Sequence, residues 1–68
     1  METGWLIEMK NEYGYVSWAN FQTGDGSVRW ESDSLLATRF CRKEDAIGLI
    51  EYMGYEGPNV FATEHIWG

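Results

Sequence analysis

The strongest constraint on this chain is that 68 residues must build a core without a covalent or metal crosslink. Its single cysteine, Cys41, excludes an intrachain disulfide, and one histidine leaves too few nitrogen and sulfur ligands for a structural zinc site. A domain of this size buries only about 60% of its unfolded-chain surface. Four tryptophans, four tyrosines and three phenylalanines are therefore expected to supply the buried bulk, at about 150–250 Å² per ring, with self-association as the other route.

The chain is acidic, with a formal charge of −6 from eleven acids and five bases. Direct binding to DNA or RNA is not expected, because phosphate recognition depends on clustered Lys and Arg. The one basic cluster contains Arg39, Arg42 and Lys43, and two acids follow it directly. No apolar run approaches the roughly 18 residues of a membrane span. We expect a reducing, cytoplasmic setting in a bacterial host cell, with no membrane partner.

Alternating side chains predict a β-hairpin at the start of the chain. Residues 5–10 alternate apolar and polar, which is the period of a half-buried strand. Residues 11–14 supply turn formers, and residues 15–21 are again rich in rings and β-branched side chains. Gly-rich residues 22–27 form a connector. Weaker signals predict a short strand around 28–30, a helical turn at 35–37 and a brief strand at 38–41.

The clearest predicted element is a helix. Its apolar stripe contains Ala46, Ile47, Leu49, Ile50 and Met53. Glu44 and Asp45 lie in the first turn, where the macrodipole favours acids, and Gly54 lies where a C-terminal cap belongs. Gly48 costs up to about 1 kcal/mol relative to Ala, which suggests that another element packs closely there. After a loop at 55–59, residues 60–67 are predicted to close the chain as a strand.

These elements predict one small α+β domain over residues 1–68, with an antiparallel sheet of three to five strands and one α-helix packed on one face. The helix cannot enclose its own apolar stripe, so it must lie on the sheet. The expected core contains Leu6 or its strand neighbours Trp5 and Ile7, together with Val16, Phe40, Ala46, Ile47, Ile50, Val60 and Phe61.

Several short motifs together resemble one group of phage proteins. They are Trp5-Leu6-Ile7-Glu8, Trp30 followed by Asp33 and Ala37, Arg39-Phe40 before Lys43-Glu44-Asp45-Ala46, and Thr63-Glu64-His65 with Trp67. This set resembles short uncharacterised phage and prophage proteins with a Trp-bearing N-terminal hairpin, a strand-to-helix junction and a closing strand. The resemblance implies a mobile-element setting and carries no activity. The Gly24-Asp25-Gly26 loop and Cys41 are not part of that pattern.

Residues that usually carry chemistry are sparse, so we expect no catalytic site, no metal site and no cofactor. His65 adjoins Glu64, but neighbours in a strand point to opposite faces, so a surface or hydrogen-bonded histidine is expected. Cys41 precedes the helix, where a thiolate gains acidity, yet burial as a small apolar residue is the favoured interpretation. The acids around Asp25 lack the spacing of a calcium loop. The sequence predicts a protein without enzymatic activity.

The aromatic residues instead predict a binding surface. Residues 15–21 carry rings on both faces of a strand, and Phe61 and Trp67 share one face of the last strand, whereas a single helix covers one face of the sheet only. Some rings are therefore either exposed or buried by another chain; cover by the turn at 35–36 and the loops is the alternative. The protein partner, in a phage setting a host defence or regulatory complex, is expected to contact Trp18, Trp30, Trp67, Tyr15 and Phe21 on the uncovered sheet face.

Two alternatives stay open. Spaced carboxylates can imitate nucleic-acid phosphates and so inhibit a host DNA- or RNA-handling complex such as a CRISPR or restriction effector. The candidate acids are Glu8, Glu31, Asp33, Glu44, Glu51 and Glu64. A solvated surface is the ordinary explanation of such acids. The other alternative is a structural homodimer in which the sheet faces of two copies merge.

Overall fold

The computed structural model describes residues 2–21, 28–54 and 59–67, with the side chains of Glu2 and Trp67 left out. The elements are β1 (Glu2–Lys10), β2 (Val16–Asn20), β3 (Arg29–Glu31), a 3-10 turn (Ser34–Leu36), the helix α1 (Lys43–Met53) and β4 (Val60–Trp67). The strands form one antiparallel sheet in the order β3-β2-β1-β4, and α1 packs over β1 and β4. The predicted α+β fold class is confirmed. The predicted connector at 22–27 and most of the loop at 55–59 lie outside the described residues.

The turn between β1 and β2 follows from Asn11. Its side-chain Oδ1 accepts hydrogen bonds from the backbone N–H groups of Tyr13 and Tyr15, at 2.9 and 3.0 Å. Gly14 takes a φ of 88°, a left-handed conformation that favours glycine. The predicted hairpin is therefore confirmed, although β2 begins one residue later than expected, at Val16.

β1 is central, and its two neighbours pair with it unequally. β4 pairs with β1 along eight residues, whereas β2 pairs only with the end of β1, at residues 8–10. Where β2 diverges, Phe40 and Trp5 exchange two backbone hydrogen bonds of 2.7 and 2.8 Å, and the N–H of Thr38 donates to the carbonyl of Ala19. The brief strand predicted at 38–41 is thus a single bridge at Phe40, which fixes the chain just before α1.

Both faces of β1 are buried at its centre. Ile7 forms the core under α1 with Ala19, Ala46 and Ile50, and Leu6, on the opposite face, has no exposed surface. Half-buried side chains surround the Ile7 cluster: Trp5, Phe21, Val28, Trp30, Phe40, Leu49, Val60 and Ala62. The predicted core positions at Leu6, Ile7, Ala46 and Ile50 are confirmed.

Three residues expected in the core lie outside it: Val16, Ile47 and Phe61. Val16 is half-buried on the face of β2 that α1 does not cover, opposite Lys10. Ile47 is 36% exposed because it lies about 100° around the helix from Ala46, beyond the arc that faces the sheet. Phe61 is 37% exposed because it alternates with Val60, so it lies on the face that α1 does not cover. The stripe that α1 buries is therefore narrower than the predicted one.

Cys41 is exposed, which contradicts the expected burial. The reason is the bridge at Phe40, whose ring lies against the Phe21 ring at 6.4 Å between centroids. Because Phe40 takes the inward position, the next residue turns outward as the chain enters the helix.

The ends of α1 follow the predicted signals. Glu44 and Asp45 lie in the first turn, and Gly54 takes a φ of 76° while its N–H donates to the Ile50 and Glu51 carbonyls. The Arg42 guanidinium donates to Asp45 at 3.0 Å, and this hydrogen bond lowers the pKa of Asp45 and raises the pKa of Arg42. In the described part of the chain, no helix is long and apolar enough to cross a membrane.

Replacement by alanine is expected to have opposite effects at Gly48, inside α1, and at Gly54, which caps its C-terminal end. A Cβ at Gly48 meets nothing within 4 Å, so the expectation of close packing there is wrong. Gly48→Ala is expected to raise the free energy of unfolding by about 0.5–1 kcal/mol, because alanine loses less conformational freedom in a helix. Gly54→Ala is expected to lower it by about 1–2 kcal/mol, because its positive φ is strained for alanine. Urea denaturation checks both; destabilisation by Gly48→Ala contradicts the open space seen at that position.

Candidate functional site: the open face of the sheet

The face of the sheet opposite α1 is called the open face. Its members follow from the alternation of each strand and from the register between strands. They are Leu6, Glu8, Lys10, Val16, Trp18, Asn20, Arg29, Glu31, Phe61, Thr63 and His65. This face is mixed, since polar and charged side chains lie between its rings.

Glu8 lies at the centre of the open face. The indole Nε1–H of Trp18 donates to Glu8 Oε1 at 3.0 Å, and the Thr63 hydroxyl donates to the same oxygen at 3.5 Å. The register explains these contacts, because Glu8 lies directly opposite Trp18 on one neighbouring strand and opposite Phe61 on the other. The carboxylate therefore holds the indole in one orientation and links β2 to β4 across β1.

His65 extends this cluster along β4. Its Nε2 lies 3.2 Å from the Thr63 hydroxyl, two residues away on the same face, and its ring meets the Trp18 ring edge-on at 6.2 Å. The expectation of a hydrogen-bonded histidine is confirmed. In enzymes that use a serine or threonine hydroxyl as nucleophile, the imidazole lies between the hydroxyl and the carboxylate. Here the Thr63 hydroxyl lies between His65 and Glu8 instead. These contacts hold the three side chains in fixed orientations on the open face.

One row of side chains crosses all four strands. From β3 to β4 it contains Glu31, Trp18, Glu8 and Phe61. Acids and rings alternate along this row, which we call the acid–ring row. The Glu31 side chain is only 14% exposed and lies 3.7 Å from the more exposed Arg29 guanidinium. The acid–ring row thus presents negative oxygens beside aromatic faces, an arrangement suited to a guanidinium group.

The residues predicted to anchor a partner do not form one surface. Trp18 lies half-buried on the open face, as expected. Trp30 lies opposite Ala19 and packs against the core under α1, so its expected place on the uncovered face is wrong. Phe21 also packs against that core. Side-chain placement of Trp67 lies outside the described residues.

Among the described side chains, the most exposed rings belong to tyrosines. Tyr13 and Tyr15, at the hairpin turn, are 78% and 74% exposed, and Tyr52 on α1 is 85% exposed. Leu35 and Leu36, in the 3-10 turn, are also exposed, so cover of the rings by these leucines is not supported; the loops at 22–27 and 55–58, the other part of that alternative, lie outside the described residues. Tryptophans Trp5, Trp18 and Trp30 are all half-buried.

The acids proposed to imitate phosphates are divided among different environments. Glu8 and Glu31 are half-buried on the open face, and the Asp33 carboxylate accepts a hydrogen bond from the Leu35 N–H at 3.0 Å. Exposed positions are occupied by Glu44, Glu51 and Glu64, the first two on α1 and the third on β4. Several of these carboxylates are thus engaged with neighbouring groups instead of forming a continuous exposed row.

Neither the acid–ring row nor the cluster of Glu8, Trp18, Thr63 and His65 was predicted from sequence. Thr63 and His65 are two residues apart in a strand, which signals a shared face, but nothing in the sequence places Glu8 beside them. That contact depends on the β1–β4 register, which joins residues 55 positions apart. Only the pairing of the strands brings the site together.

Comparison with family models, with curated proteins and with solved structures gives no significant match. Within residues 2–21, 28–54 and 59–67, no three or more His, Cys, Asp or Glu side chains are grouped closely enough to hold a metal ion, and no pocket is found.

Proposed function

We propose that this protein binds a protein partner through the open face, without a catalytic step of its own. The observation that carries the proposal is the acid–ring row, in which Trp18 is held by Glu8 and Phe61 is 37% exposed on the side away from α1. Rigid aromatic side chains are favoured at binding hot spots because they bury large areas at little entropic cost. The phage setting suggested by the sequence makes a host defence or regulatory complex the first class of partner to test.

The chemistry of the row favours a basic partner. An arginine from the partner can stack on a ring while its guanidinium hydrogen bonds to a flanking carboxylate, and the net charge of −6 attracts a positive surface over longer range. Binding is therefore expected to weaken as salt rises, because the charges involved are partly exposed.

Nucleic-acid mimicry has less support as a function. It needs exposed carboxylates at regular spacing, whereas Glu8 and Asp33 accept internal hydrogen bonds. The exposed candidates that remain are Glu44 and Glu51, about 10 Å apart along the axis of α1, and Glu64, on the side of β4 that faces α1. A mimic would therefore bind through α1, and open-face substitutions would leave its binding intact.

A pair of lysine substitutions tests the proposal. Phe61→Lys places a cation on the open face, and Tyr52→Lys places one on α1 at a position that is 85% exposed. Capture of partner proteins from a bacterial host lysate is expected to fall about tenfold or more with Phe61→Lys and to change little with Tyr52→Lys. Unfolding curves of both variants establish that the fold is intact. Loss of capture with Tyr52→Lys alone contradicts binding through the open face.

A further inference from the structure

One edge of β4 pairs with β1 and the other, its free edge, pairs with no strand of the described sheet; the hydrogen bonds show which groups face each side. The N–H of Lys10 donates to the Asn59 carbonyl at 2.9 Å, so Asn59 and every second residue after it point their backbone groups toward β1. Trp5 lies opposite Glu64, but its backbone N–H and C=O groups hydrogen bond to Phe40 on the other side of β1. The backbone groups of Glu64 therefore point away from β1. The free edge of β4 therefore presents the N–H and C=O groups of Val60, Ala62, Glu64 and Ile66. None of these groups has a backbone partner among the described residues outside β4.

This free edge has little of the usual protection against strand pairing. Natural edge strands are kept short or carry charged residues, especially lysine, or proline or bulges. At the opposite end of the sheet, β3 has only three residues and carries the Arg29–Glu31 ion pair. β4 has eight residues, Val60–Trp67, none of which is lysine, proline or glycine, and its one acid is Glu64. At about 3.3 Å per residue, it offers an edge roughly 26 Å long.

We propose that β4 pairs with β4 of a second copy of this chain, antiparallel and centred on Thr63. In this register Val60 lies opposite Ile66 of the second copy, and Ala62 lies opposite Glu64, so the outward-facing backbone groups meet in hydrogen-bonded pairs. Between them, Phe61 lies opposite His65. The two Thr63 residues lie opposite each other.

The side chains favour this register and this occupant. It forms an aliphatic pair, an aromatic pair and a threonine pair, each of which stabilises neighbouring strands. It also covers Ile66, which is 66% exposed, with Val60 of the second copy. A register centred on Glu64 instead opposes two glutamates, and like charges opposite each other are destabilising. The sequence of β4 is thus complementary to itself about Thr63.

The geometry of this pairing has two consequences. The two-fold axis runs perpendicular to the sheet, so both helices lie on one side and the two open faces join into one continuous surface. Each copy carries −6, so the copies repel, and dimerisation is expected to strengthen as salt rises. Binding of a basic partner at the open face has the opposite salt dependence. The two interactions are therefore distinguishable.

Disulfide crosslinking tests the register. The exposed Cys41 is first replaced by serine, and Thr63→Cys and Phe61→Cys are then compared in that background under a mild oxidant. Opposed Thr63→Cys residues lie about 4.5 Å apart between Cα atoms, within disulfide reach. Phe61→Cys residues are offset by about 13 Å along the strands and are out of reach. Crosslinked dimer from Thr63→Cys alone is expected; equal crosslinking of both, or of neither, overturns the proposal.

Sedimentation of the purified protein provides the second measurement. We expect a reversible dimer with a dissociation constant on the order of 10 μM, because edge pairing buries less surface than a standard interface. Glu64→Pro removes an outward N–H without removing a bond to β1, so the variant is expected to fold and to stay monomeric. A wild type that remains monomeric at about 200 μM overturns the proposal, as does a dimer that a folded Glu64→Pro variant retains.

Discussion

Leu6→Ala is expected to lower the free energy of unfolding by about 2–5 kcal/mol, which is the range for truncating a buried leucine. Leu6 has no exposed surface although it lies on the face that α1 does not cover. A domain this small has a stability of only about 3–5 kcal/mol, so the variant is expected to be largely unfolded at room temperature. The effect follows from the loss of buried apolar surface and from the cavity that the alanine leaves.

Leu35→Ala is the matched control, because Leu35 is 73% exposed in the 3-10 turn. The same substitution there is expected to change the free energy of unfolding by less than about 0.5 kcal/mol. Urea denaturation followed by tryptophan fluorescence measures both variants. A small effect of Leu6→Ala, or equal effects at the two positions, contradicts a core that extends to both faces of β1.

Glu8→Ala is expected to lower the free energy of unfolding by about 1–3 kcal/mol. The substitution leaves the half-buried Trp18 indole N–H without the acceptor that it has at 3.0 Å, and the Thr63 hydroxyl loses the same oxygen. Glu8→Gln keeps an acceptor oxygen and is expected to retain most of the stability. The chemical shift of the Trp18 indole proton and a urea titration together measure the change.

The control for Glu8 is Glu12→Ala, an exposed acid in the hairpin turn. It is expected to be neutral within about 0.5 kcal/mol. If Glu8→Ala is also neutral and the indole resonance does not move, Glu8 does not hold Trp18 in place, and the preformed acid–ring row loses its basis.

Local patterns were enough to predict the hairpin, the helix and its cap. Alternation over residues 5–10 and 15–21, with turn formers between them, gives β1 and β2. The helical stripe around Ala46 and Ile50 gives α1, and Gly54 ends it as predicted. These elements were predictable because each is specified by neighbours in the chain.

Contacts between distant strands were not predictable in this way. Trp30 lies on the α1 side of the sheet and Trp18 on the open face because of their registers with β2 and β1. Cys41 is exposed because Phe40 bridges to Trp5, 35 positions earlier in the chain, and takes the inward position. A single sequence contains no direct signal for such pairings. The number of aromatic residues is therefore known from the sequence, but the face of the sheet on which each one lies is not.

The distribution of rings between the two faces decides which of them a partner can reach. The sequence predicts more ring surface than a single helix can cover, whereas the described tryptophan side chains, those of Trp5, Trp18 and Trp30, are half-buried. The surface that we propose for partner binding is instead the acid–ring row, in which a held indole and a partly exposed phenylalanine alternate with carboxylates. Its mixed chemistry favours a basic partner.

The most direct test of the open face as the binding surface is a chemical-shift titration of the isotopically labelled protein with a captured partner. We expect the largest changes at the Trp18 indole N–H, the Thr63 methyl group and the Phe61 amide, with little change at the Ile47 methyl groups on α1. Changes concentrated at Ile47 and the rest of the helix, with the Trp18 indole N–H unmoved, would contradict the account.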